Sequence, residues 1–197
     1  VLSYLERFDD EPSLRRRQDR YRAHVLVELL YASGIRIAEA AAITEADIDR
    51  ERKQVKIREG KGGRERIAFL SDFAADALSG FLRLRPYVIH QGFGHPDCVF
   101  GMSAQNLSHM ASRELARACA SLELAPVTAH GVRHMVGWHL LRSGACVRSI
   151  QGILGHLQLK STEVYTRVDK ESLKAVLDDF HPRSGKTDAV ENRLLAV

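Results

Sequence analysis

One stretch departs from the rhythm of the rest of this chain and constrains its fold more than any other. Gln54-Val-Lys-Ile-Arg58 alternates apolar and polar residues, and Glu65-Arg-Ile-Ala-Phe-Leu70 does so again. Between them, Glu59-Gly-Lys-Gly-Gly63 has the composition of a turn. A period of two on either side of glycines predicts a β-hairpin with a basic tip. Elsewhere the apolar spacing is helical. Val25, Leu26, Leu29 and Leu30 mark a helix from Leu14 to Ser33, which Gly34 ends as a C′ residue. A short helix over Ile37–Ala42 follows, then a cap or turn at Thr44 and Asp47. Ser71 caps a helix running to about Arg85, where Pro86 is expected to stop it. Val88–Pro96 reads as a loop and Cys98-Val-Phe100 as a short third strand. Further helices are expected from Ser103 to about Leu122, over His130–Ser143 (closed by Gly144), Val147–Leu154 (closed by Gly155), Ser161–Arg167 and Asp169–Phe180. The expected fold class is therefore mainly α with a small antiparallel β-sheet.

At 197 residues the chain is sized for one domain, or one with a small subdomain. Its 45% hydrophobic and 27% charged residues give an ordinary globular balance. No apolar run approaches the roughly 20 residues of a membrane span. The N-terminus lacks the basic start and apolar core of a signal peptide. It also lacks Met, so a partner domain preceding residue 1 is expected. Cys98, Cys119 and Cys146 are odd in number and widely spaced. They fit neither a disulfide framework nor a zinc site, and are expected to be packing residues in a reducing cytoplasm. The net charge of +4 and pI of about 9.1 lean toward a polyanionic partner. The basic residues concentrate at Arg15–Arg17, Lys53–Arg66 and Arg133–Arg148. Arg15–Arg17 is either a solvated helix start or a phosphate contact.

Three separated stretches look chemically related: Ser33-Gly-Ile-Arg-Ile-Ala-Glu39, Gly60-Lys-Gly-Gly-Arg-Glu-Arg66, and His130-Gly-Val-Arg-His134 with Leu154-Gly-His156 and Tyr165-Thr-Arg-Val168. At these residues the sequence resembles the tyrosine recombinase (phage integrase) family. That family carries an Arg in a GxRxxE stretch, a Lys at a hairpin turn, an HxxRH helix, an LGH, and a Tyr nine residues after that His. All five occur here in order, from about Leu26 to Pro182. His181-Pro-Arg183 is similar to the ending of the bacterial Xer-type members. Val132, Met135, Gly137-Trp138 and Ala68 depart from the usual pattern without removing a catalytic group.

The resemblance implies the family's catalytic-domain fold over residues 1–183. It implies catalytic roles for Arg36, Lys61, His130, Arg133, His156 and Tyr165, with Glu39 as an accessory acid. It also implies contacts from Lys61, Arg64 and Arg66 to double-stranded DNA, self-assembly to a tetramer on DNA, and an N-terminal DNA-clamping domain outside this chain. The tail 184–197, with Leu194, Leu195 and Val197, is expected either to dock on a neighbouring protomer or to fray.

The residue types suit phosphodiester chemistry. Two arginines can fork onto the non-bridging oxygens and stabilise a pentavalent transition state. Tyr165, ordinarily protonated at pH 7, needs a base such as His130 or His156 to become a nucleophile. Lys61, flanked by Gly60, Gly62 and Gly63, suits a mobile general acid for the leaving 5′-oxygen. His130 and Arg133 share a helix face, as do Arg36 and Glu39. Exchanging one phosphoester for another needs neither ATP nor a metal, and no cofactor is expected. There is no acidic triad and no Walker-type loop in the sequence.

Several neighbours have plainer expected roles. His130 and His134 lack the third ligand of a metal site, and His134 is expected to pack or hydrogen-bond inside the domain. Trp138 is expected in the core. Two other functions stay open: a type IB topoisomerase-like enzyme, and a DNA-binding module without catalysis.

Overall fold

The computed structural model describes residues 1–58, 65–88, 97–155 and 170–183. A short helix α1 (Leu2–Glu6) and a 3-10 turn (Phe8–Asp10) precede the central helix α2 (Leu14–Ser33). Neither of the first two was expected. Ser13 caps α2 by accepting from Arg16 N at 3.4 Å. Gly34 closes it in the left-handed conformation, φ 60°, as expected. α2 is buried around most of its circumference, with Ala23, Leu26, Leu29 and Leu30 almost wholly inaccessible. It can be so because α1, α4 (Asp72–Val88), α5 (Ala104–Ser121) and α6 (Ala129–Arg142) all lie against it. α3 (Ile37–Ala42) follows Gly34 and packs on α5. Two helices complete the described chain, α7 (Val147–Leu154) and α8 (Lys170–Phe180).

The sheet has the order β1 (Ile48–Asp49), β2 (Gln54–Ile57), β3 (Arg66–Phe69), antiparallel throughout. Val55 faces Ala68 and Ile57 faces Arg66. Val55 and Ile57 are buried and Lys56 is exposed, the alternation that identified this hairpin. Thr44 and Asp47 form the expected cap: Asp47 Oδ2 accepts from Thr44 N at 2.9 Å and from Thr44 Oγ1 at 2.7 Å. Arg58 Nε donates to Asp47 Oδ1 at 2.6 Å, tying the hairpin to that turn.

Two expectations are corrected. The third strand is Ile48–Asp49, not Cys98–Phe100. Cys98 makes only an isolated bridge to Thr44, and Val99 N donates to Ile43 O at 2.7 Å. Pro86 does not stop α4, which continues to Val88. A proline in the last turn removes one amide donor, and Arg85 holds this end by donating to Val99 O (3.1 Å) and Cys98 O (2.9 Å). The helix expected over Ser161–Arg167 lies outside the described residues. Among the described residues no helix is long and apolar enough to cross a membrane.

α8 is fastened to α2 by the residues that follow it. Buried His181 donates from Nε2 to Tyr31 O at 2.9 Å and accepts at Nδ1 from Arg183 N at 3.2 Å. Arg183 reaches the buried Glu28 and lies over the Phe73 ring at 4.1 Å. Both ring nitrogens of His181 are thus occupied only in the neutral form. Burial lowers its pKa to about 4, with His139 and Arg183 adding to the shift and the bond to Tyr31 O opposing it. The unfolded chain takes up this proton near pH 6.5 and the folded chain only near 4. The stabilisation is therefore complete above about 6.5 and is lost as pH falls toward 4, by on the order of 3 kcal/mol. The stability gap between the wild type and His181→Asn should accordingly shrink from pH 7 to pH 4.5 in thermal melts. Glu28, whose burial raises its pKa, acts in the opposite sense in both proteins. A gap that stays constant across this range would refute the assignment.

Candidate active site

Those expected residues that the structure describes lie where loops and helix ends meet. The chain leaves α2 through Gly34, whose positive φ turns it toward α3. A Cβ at Gly34 would lie 2.4 Å from Leu154 Cδ2, so this residue also admits close packing of the α7 end. Ile35 is fully buried and anchors the turn, and Arg36 sits at the N-cap of α3. Glu39, one turn on, holds Arg36 twice: Oε2 accepts from Arg36 N at 2.7 Å, and Oε1 from Arg36 Nη1 at 3.1 Å. The first of these is the N3 half of a capping box, which accounts for a buried Glu at this position. The pairing of Arg36 and Glu39 on one face is as the spacing predicted.

Arg66, first residue of β3, approaches the same carboxylate from the sheet. Its Nη2 donates to Glu39 Oε2 at 2.7 Å. Its side chain is 18% exposed, against 33% for Arg36. Burial lowers its pKa, Glu39 raises it and nearby Arg36 lowers it. Gly155, the left-handed residue closing α7, lies directly over this guanidinium: a Cβ there would sit 2.8 Å from Arg66 Nε.

Arg133 enters from α6, whose N-terminus is capped by Thr128 accepting from Gly131 N at 3.0 Å. The guanidinium is buried and donates through Nη1 to Gly34 O and through Nη2 to Leu154 O. It therefore clamps the end of α2 to the end of α7. Burial lowers its pKa to about 10; Arg36 and Arg66 push in the same direction and Glu39 against it. Even so it stays charged at neutral pH. Three guanidinium groups surround one carboxylate, which leaves an excess of two positive charges over Glu39 among the described residues. Such a group is built to receive an anion, and Arg36 is its most open member.

His130 lies one turn before Arg133 and is exposed. Its Nε2 is 2.8 Å from His134 Nε2, with the rings edge to face. This corrects the expectation for His134, which is exposed: the i, i+4 spacing places it on the solvent side with His130. Trp138 is likewise not core. It is 50% exposed beneath Arg142, whose guanidinium carbon is 4.6 Å from the ring centre. Cys146 is exposed as well and caps α7, accepting from Ser149 N at 3.4 Å. Its bonds with the Ser149 hydroxyl and then the Ser149 amide lower its pKa. Lys61, Arg64, His156 and Tyr165 lie outside the described residues. The sequence did not reveal the acceptors of Arg133, because backbone carbonyls carry no residue-type signal. Nor did it reveal the pairing of Arg66 with Glu39; Arg66 had been expected as a DNA contact. Among the described residues no group of three His, Cys, Asp or Glu side chains is placed to hold a metal.

Comparison with known proteins bears on the fold and the family. The profile of the Phage integrase family matches residues 7–172. The chain is 34% identical over 172 residues to the tyrosine recombinase XerC of Bacillus subtilis, covering 84% of this chain and 55% of that protein. It is 36% identical over 166 residues to XerC of Mycobacterium leprae, covering 83% and 55%. It thus spans about half the length of the curated relatives it matches. Among solved structures, XerH site-specific recombinase bound to its difH substrate superposes with a TM-score of 0.63 at 24% identity, covering 90% of this chain and 51% of that one. That likeness establishes the fold, mostly helical with one small antiparallel sheet. With a family profile across most of its length and relatives above 30% identity over more than four-fifths of it, this chain belongs to the phage integrase family.

Proposed function

We propose that this protein is a site-specific DNA recombinase that cuts and rejoins strands through a covalent 3′-phosphotyrosine. The observation that carries this reading is the cluster of Arg36, Arg66 and Arg133 around the single carboxylate of Glu39. It joins two members of the implied catalytic set, Arg36 and Arg133, far apart in sequence, into one cationic site. The tyrosine recombinases among its relatives support the same reading.

In this reaction Arg36 binds the non-bridging oxygens of the scissile phosphate, and the buried Arg133 adds positive charge behind it while its Nη atoms hold Gly34 O and Leu154 O. The Tyr165 hydroxyl attacks phosphorus, and His130 or His156 takes its proton. The bond to the 5′-oxygen breaks, and Lys61 supplies the proton that leaves a 5′-hydroxyl. A 5′-hydroxyl of the partner strand then attacks the phosphotyrosine, restoring a phosphodiester and releasing Tyr165. One phosphoester is formed for each one broken, so the residues named here suffice without ATP, metal or cofactor. Lys61 and Arg64 serve as DNA-facing cations of the hairpin. The functional form is a four-protomer assembly on two double-stranded sites, with the tail 184–197 contacting a neighbour and an N-terminal clamp completing the grip. Its compartment is the cytoplasm.

The test is a covalent trap with the full-length protein on its native site, using nicked suicide DNA without metal. A protein–DNA adduct should form with wild type and vanish with Tyr165→Phe on a denaturing gel, and a native gel of the same mixture reads assembly. Binding without any adduct would replace the enzyme with a DNA-binding module. Supercoil relaxation without a specific site would favour a topoisomerase.

A further inference from the structure

We propose that Arg66 is a positioning residue for strand cleavage, acting through Glu39 on Arg36. This inference rests on the recombinase reading and goes beyond the DNA contact first expected of Arg66. Three observations carry it. Arg66 Nη2 and the Arg36 backbone amide share Glu39 Oε2, each at 2.7 Å, so the carboxylate that clamps Arg36 is itself fixed from β3. The remaining carboxylate oxygen is left to orient the Arg36 guanidinium. The Arg66 guanidinium is also the floor on which Gly155 rests, with no room for a Cβ between them. Glu39 and Gly155 thus hold this guanidinium from two sides.

Stability does not account for Arg66. A buried ion pair seldom outperforms apolar packing. Its Nη1 is buried and has no acceptor among the described residues, which is a cost to folding. Direct phosphate binding does not account for it either, because Nη2 is committed to Glu39, Gly155 covers Nε and Nη1 is buried. What the arrangement does supply is a fixed Arg36. Groups that orient a ligand-binding side chain in this way are typically worth about 10–100-fold in activity.

The experiment compares full-length wild type, Arg66→Met, Arg66→Lys, Glu39→Gln and the double variant Arg66→Met/Glu39→Gln. Single-turnover adduct formation should fall by about 10–100-fold in Arg66→Met, with DNA affinity and its salt dependence unchanged. Arg66→Lys should recover part of that loss. The double variant should be no slower than the slower single one, because both act on Arg36 by one route. Multiplicative losses, or loss of DNA affinity in step with rate, would overturn the proposal. A wild type without adduct would count against the recombinase reading instead. In that case NMR relaxation of the Arg36 Nε–H group decides the matter. That group should be ordered in wild type and mobile in Arg66→Met, and equal order in both would overturn the proposal.

Discussion

Replacing Arg133 by lysine is expected to slow adduct formation by about 100–1,000-fold and, in the same protein, to lower the thermal midpoint. Charge alone does not explain the size of the effect, since lysine keeps it. The guanidinium spans two carbonyls at once, Gly34 O and Leu154 O, and these lie at the ends of different helices. A single ammonium cannot reproduce that fork. At least one buried carbonyl then loses its donor, at about 1–3 kcal/mol. The two helix ends separate, and Arg36 and the residue before His156 no longer keep register. Arg133→Met should be at least as unstable and should yield no adduct. If Arg133→Lys melted with wild type while losing its chemistry, the fork would be irrelevant to the framework. If it cleaved normally, Arg133 would have no part in the reaction.

The second large effect is expected at Gly34. Alanine there must adopt φ near +60°, costing roughly 1–2 kcal/mol. Its Cβ meets Leu154 Cδ2 at 2.4 Å, and overpacking of this kind adds about 1–3 kcal/mol. Denaturant melts should therefore show Gly34→Ala destabilised by about 2–5 kcal/mol. Adding Leu154→Val, which removes the colliding carbon, should recover the packing part and leave the backbone part. A Gly34→Ala protein within about 0.5 kcal/mol of wild type would refute this account.

Both predictions concern a glycine or an arginine that the sequence flagged, yet the reasons differ from those it could supply. Gly34 and Gly155 were legible as helix ends, because left-handed termination is a local property. The cap at Ser71 and the β2–β3 hairpin were legible for the same reason. Arg36, Glu39 and Arg133 were legible as a set through ordered motifs. What escaped was tertiary. The partner of Arg66 lies 27 residues upstream, and the carbonyls held by Arg133 lie 99 and 21 residues away. Pro86 was misread because a general rule about proline met a specific anchor, Arg85 on Val99 O and Cys98 O. Trp138 was misread because aromaticity suggests burial, whereas this ring lies on an outer helix face beneath a cation.

The fork at Arg133 has a consequence for descent as well as for rate. It places one cation against the C-terminal ends of two helices, where the aligned peptide dipoles carry partial negative charge. The framework needs that positive charge even with no nucleic acid nearby. A lineage abandoning strand exchange would still need this arginine. Silent descendants of such a gene are therefore expected to keep Arg133 long after the chemistry has gone, and its presence alone is a poor sign that a homologue still cuts DNA.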